Sequence, residues 1–184
     1  MNALFAAAAE IQNSLQCARE KFCFIGGVAL QRWGEPRLTR DVDLTLLCPY
    51  GAESPLVERL LAIFAPRMPD AREFALQHRV LLLRASSGVP IDIAFGGIPF
   101  EERAVERASE FDFGEVRLLT CSAEDLVVFK SFAGRERDWA DIESIAMRQA
   151  GHLDWTLIYN ELAPLAELRG GNALITRLQE LQKS

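Results

Sequence analysis

The 184-residue sequence predicts an α/β portion up to about residue 120, followed by helices alone. Asp41–Cys48 alternates apolar Val42, Leu44 and Leu46 with Asp41, Asp43 and Thr45, the two-residue period of a strand with one buried face. HRVLLLRASSGVPIDIAF reads as two more strands joined by the turn SSGVP. Beyond Ser122 the apolar residues recur at helical spacing, as in Leu157, Ile158, Leu162 and Leu165.

In chain order, Leu4, Ala7, Ala8, Ile11 and Leu15 recur every three or four residues and predict a helix over 3–19. KFCFIGG reads as a short strand closed by a glycine pair, with VALQRW as the first turns of a helix. A helix over 55–64 precedes the hairpin, and the hairpin sets Asp92 beside the sheet centre. Residues 99–109 read as helical, and FDFGEVRLL carries a glycine turn between two extended pieces. Ser122 with Asp125 forms an N-terminal cap, opening a helix through Phe132. Further helices are expected over 135–149, 154–168 and 172–182. The domains read as 1–120 and 121–184, packed together with a cleft as the natural ligand site.

Composition narrows the function. An apolar content of 49% with 25% charged residues excludes a disordered chain, and a formal charge of −6 excludes a broad basic face for tracking nucleic acid. Contacts to nucleic acid must therefore be local. The cations are seventeen arginines against Lys21, Lys130 and Lys183, so a lysine in the apolar setting of Lys130 is notable. Cys17, Cys23, Cys48 and Cys121 form no CxxC pair and are expected to be reduced core thiols. The first residues lack a basic leader and no apolar run has the roughly 18 residues of a membrane span, so a cytoplasmic protein away from the membrane is expected.

The residues that carry chemistry are carboxylates in apolar strands. Asp41 and Asp43 share one strand face, where like charges repel unless a cation compensates them. Asp92 alternates against Ile91 and Ile93 in PIDIAF and can face the same place. Hard oxygen donors suit Mg²⁺ or Mn²⁺, and three acids can hold two such ions roughly 4 Å apart for phosphoryl or nucleotidyl displacement. Gly26 and Gly27 stand where backbone N–H groups can approach a phosphate, although a glycine pair alone is a weak signal.

The order of the glycine pair, DVD and a lone strand aspartate over about residues 22–95 resembles the DNA polymerase beta-type nucleotidyltransferase superfamily. Downstream, SAEDLVVFKSFAGRERDWADI resembles the helical motif of its AbiEii/AbiGii toxin-like branch. The resemblance implies a short mixed sheet flanked by helices, with a C-terminal helical part closing over the nucleotide. It also implies Mg²⁺-dependent transfer of NMP from an NTP, ATP among them, with pyrophosphate released. Carried over by position, Asp41, Asp43 and Asp92 are the metal ligands and catalytic acids, and Gly26, Gly27, Arg40, Lys130 and Arg135 contact the nucleotide. Asp138 takes an acid/base or positioning role, Asp141 a structural one, and Arg37 joins Arg40 as a basic lead-in to DVD.

In the toxin branch the implied acceptor is RNA, often the tRNA 3′ end, with a separate antitoxin as partner. Two alternatives stay open: a small-molecule, antibiotic-type nucleotidyltransferase, and a non-catalytic nucleotide- or partner-binding module of the same fold. Asp138 and Asp141 also admit a plainer reading, pairing on their helix with Arg135 or Arg137. His78 and His152 have no partner pattern and are read as ordinary residues.

Overall fold

The computed structural model describes residues 2–169 and 171–183. They divide into two compact units, Met1–Val28 with Leu38–Cys121, and Ala29–Arg37 with Ser122–Ser184.

The first unit is a mixed sheet with helices. Its chain order begins α1 (Ala3–Cys17), β1 (Phe22–Phe24), the start of α2 (Gly26–Trp33), β2 (Val42–Leu47) and α3 (Glu53–Leu61). β3 (Ala65–Pro66), α4 (Ala71–His78), β4 (Val80–Arg84), β5 (Pro90–Gly96), α5 (Pro99–Glu106), β6 (Ser109–Asp112) and β7 (Arg117–Thr120) complete it. Among the described residues the sheet has seven strands in the order β3-β4-β5-β2-β1-β7-β6. β2 lies at its centre, antiparallel to β1 and parallel to β5. Central strands are buried on both faces, so β1 is apolar throughout and β2 admits polar residues only on one side.

α1 buries Leu4, Ala7, Ala8, Ile11 and Leu15, the stripe that its spacing predicts. These join Phe22, Phe24, Val42, Leu44, Leu46, Leu81, Leu83, Ile91 and Ile93 in one core. Each such aliphatic or aromatic side chain stabilises the fold by roughly 1.5–3 kcal/mol. The core holds β2 and β5 rigidly under whatever their other face carries.

Several details differ from the sequence expectation. α3 starts two residues before Pro55, because a first-turn proline lacks only an N–H that would have no intrahelical partner. α4 and β3 escaped pattern reading: α4 buries only Ala71 and Ala75, and β3 has two residues, too few to alternate. α4 ends on Arg79 at φ 56°, a left-handed position held by Glu53 and by the carbonyls of Cys48 and Phe95. Cys17 is exposed at the end of α1, whereas Cys23, Cys48 and Cys121 are buried as expected.

The second unit contains α6 (Ala123–Ala133), α7 (Glu136–Arg148), α8 (Trp155–Leu168) and α9 (Ala173–Lys183). The Ser122 hydroxyl caps α6 by accepting from Asp125 N at 3.0 Å. α6 packs on α7 and α8, and α8 on α9. The segment 29–37 belongs here because α7 stitches it down: Gln149 donates to Trp33 O at 3.0 Å, and the Ser144 hydroxyl accepts from Glu35 N at 3.2 Å. No described helix is long and apolar enough to cross a membrane.

Candidate active site

The β2–β5 ladder sets two of the expected acids opposite each other. Asp43 and Asp92 are register partners on parallel strands, so their side chains leave the same sheet face. Asp41 lies in the bend just before β2, near enough for its charge to act on Asp92.

Each acid is placed by a different device. Thr39 Oγ1 donates to Asp41 Oδ1 at 3.0 Å. Asp43 is fixed at its backbone, where its carbonyl accepts from Ile25 N at 3.0 Å, and its carboxylate lies against Gly26. Gly26 has φ +54°, and a Cβ there would collide with the Asp43 carboxylate, so both conformation and space demand glycine. Gly27 lies equally close to Thr39, where a Cβ would strike the hydroxyl that orients Asp41. The sequence placed the pair in a turn before the helix, but they form the first residues of α2. Their motif value therefore lies in close approach to the acids.

Asp92 has a partner that the motif reading missed. Arg67, just after β3, sets Nη1 2.8 Å from Asp92 Oδ1. The angle is poor: the buried Oδ1 accepts no hydrogen bond, and Arg67 Nη2 reaches Oδ2 only at 3.5 Å. Burial pushes the Asp92 carboxyl above the usual range, Arg67 pulls it down, and the Asp41 charge pushes it up again, with a net upward result. Nothing in local spacing marks Arg67, because it meets Asp92 across two intervening elements. Arg40 lies exposed beside Asp41.

These residues fit a hard divalent cation in three respects. The donors are carboxylate oxygens on a shared face, one of them is an orphaned buried acceptor, and glycines clear the space beside them. Among the described residues no three His, Cys, Asp or Glu side chains already converge as a metal cluster.

The downstream motif forms a separate cluster inside the helical unit. Lys130 on α6 is 5% exposed, with Nζ 2.6 Å from Asp141 Oδ2 and 3.6 Å from Asp138 Oδ1. Arg37 grips Asp141 with two hydrogen bonds of 2.8 and 2.9 Å. Arg135 does the same for Asp138, at 2.6 and 3.3 Å, while the Arg135 N–H closes a capping box on it. Burial alone would raise Asp141, yet Arg37 and Lys130 hold its carboxyl below the usual range.

A family model described as nucleotidyl transferase AbiEii toxin, type IV toxin–antitoxin system, matches residues 12–171. No curated protein matches the chain. Among solved structures, the fold is similar to an antigenic nucleotidyltransferase-like protein from Paracoccidioides brasiliensis, at 16% identity and a TM-score of 0.54, over 95% of this chain and 91% of that one. A lincomycin-bound lincosamide antibiotic adenylyltransferase, LnuA, is also similar, at 16% identity and a TM-score of 0.49 over 73% and 91% of the two chains. The antibiotic-resistance factor ANT(2'')-Ia follows, at 13% identity and a TM-score of 0.45 over 97% and 88%.

Proposed function

The chain belongs to the nucleotidyl transferase AbiEii toxin family of type IV toxin–antitoxin systems, and we propose that it transfers a nucleoside monophosphate from an NTP to an RNA 3′ hydroxyl, a tRNA end in particular. The observation that carries this reading is the register that sets Asp92 opposite Asp43, with Asp41 in the bend just before β2 and Gly26 against Asp43.

Nucleotidyl transfer needs little covalent help from a protein; positioning and neutralisation of phosphate charge do most of the work. Asp41, Asp43 and Asp92 would hold Mg²⁺ or Mn²⁺, which supplies neutralisation of the charge that builds on the transferred phosphate. Thr39 orients Asp41 for that task, and Gly26 and Gly27 leave the triphosphate room to approach the first N–H groups of α2. Asp92 Oδ1, which no donor satisfies, takes the proton of the attacking hydroxyl. The exposed Arg40 contacts a phosphate. Contact of Lys130 and Arg135 with the nucleotide is part of the same proposal, with Asp138 holding both side chains in place. A chain of net charge −6 grips RNA locally, so a short end suits it better than a long duplex. The type IV family description supports a cognate antitoxin as partner, and a reaction that consumes NTP suits the cytoplasm.

The test is transfer of label from the α-phosphate of each NTP into total RNA and into a small-molecule pool. Magnesium-dependent label at the 3′ end of tRNA-sized RNA is expected. Label confined to the small-molecule pool would replace RNA by an antibiotic-type acceptor, and NTP binding without product would replace the enzyme by a binding module.

A further inference from the structure

We propose that Arg67 competes with the divalent cation for Asp92, so that cation binding and release of the Arg67 guanidinium are one exchange; the inference rests on the acid face being the cation site. The Arg67 N–H donates to Leu82 O at 3.0 Å, which continues the ladder from β3 and fixes its backbone beside β4. Leu82 is the register partner of Asp92, and Asp92 that of Asp43. Arg67, Leu82, Asp92 and Asp43 therefore form one row across the sheet, with side chains on a common face. The guanidinium reaches along that row to the third acid.

The quality of the contact argues for exchange. A guanidinium that holds a carboxylate permanently meets it with two short parallel hydrogen bonds, as Arg37 meets Asp141 at 2.8 and 2.9 Å. Arg67 approaches Asp92 closely at one nitrogen but leaves Oδ1 without a hydrogen bond, and its second contact stretches to 3.5 Å. Its side chain is 23% exposed and that of Asp92 31%, so the guanidinium can turn into water once a cation takes over the Asp92 charge. Once released, it stands at the edge of the acid face as a forked donor suited to phosphate. The same residue thus weakens cation binding when no nucleotide is present and strengthens the complex when a triphosphate is.

Titration of the full chain with Mn²⁺, followed by electron paramagnetic resonance without nucleotide, tests the exchange in wild type, Arg67→Gln, Arg67→Lys and Asp92→Asn, with circular dichroism confirming each fold. Arg67→Gln is expected to bind Mn²⁺ about fivefold tighter, the factor set by losing a competing, partly exposed ion pair. Arg67→Lys falls between it and wild type, and Asp92→Asn binds more weakly than either. Equal or weaker Mn²⁺ binding by a folded Arg67→Gln variant would overturn the exchange while leaving the cation site intact. Absence of Mn²⁺ binding from wild type and Arg67→Gln alike would remove the cation site and the inference with it.

Discussion

The acid face of the sheet and the buried cluster of the helical unit use the same residue types to opposite effect. Asp41, Asp43, Asp92 and Arg67 together carry two net negative charges, and the Arg67–Asp92 ion pair is misaligned. Asp138 and Asp141 are instead enclosed by Arg37, Lys130 and Arg135, with Asp141 held by two short parallel hydrogen bonds and Asp138 by one short contact at 2.6 Å. The first arrangement fits the proposed cation site, whereas the second holds its charges against one another. Substitutions in the two clusters should therefore fail in different ways.

The largest effect is expected at Lys130. Lys130→Met leaves Asp138 and Asp141 buried without their shared cation, and removing one partner of a buried pair costs about 3–5 kcal/mol. Urea denaturation checks this, and a loss under about 1 kcal/mol, within the range of exposed pairs, would show the cluster to be hydrated. Next comes Gly26→Ala, in which the new methyl displaces the Asp43 carboxylate and strains a residue at φ +54°. Transfer is expected to fall about a hundredfold, as for other lost positioning groups, with a stability cost above about 1 kcal/mol from the positive φ and the close contact. Similar transfer rates for the two proteins would show that Asp43 need not be held there.

A smaller effect is expected from pH. The Asp141 carboxyl lies below its ordinary value of 3.8 in the fold, so the native state binds fewer protons than the unfolded chain near that pH. Its stabilisation is complete above pH 3.8 and is lost as pH falls through the lower folded value. Melting temperature should therefore drop in acid more steeply for wild type than for Asp141→Asn. Parallel curves would mean that Asp141 gains nothing from Arg37 and Lys130.

The contrast between the two clusters also explains what was legible in the sequence. The acid face could be read because strand alternation and parallel register are local and periodic: Asp41 and Asp43 are two residues apart, and Asp92 sits between Ile91 and Ile93. The helical segments were equally plain, since Ser122 and the leucine spacing follow the same local rules. Arg67 was invisible, because its position depends on a two-residue edge strand and on the unpredicted α4 that follows. Thr39 gave no signal either, since only the packing against Gly27 turns its hydroxyl to Asp41. The plainer reading that paired Asp138 with Arg135 matches the geometry, but the partners of Asp141 are Lys130 on the preceding helix and Arg37, 104 residues away. Contacts of that separation are set by tertiary packing, which residue spacing does not encode.

The central claim, that the acid face performs the transfer, is tested most directly by Asp43→Asn, measuring α-phosphate transfer and melting temperature on the same preparation. The account expects transfer to fall about a thousandfold, as when a main electrostatic group is removed from a reacting centre, with the melting temperature unchanged or higher because a like charge is gone. Wild-type transfer by a folded Asp43→Asn protein would contradict it, because catalysis would then lie elsewhere in the molecule.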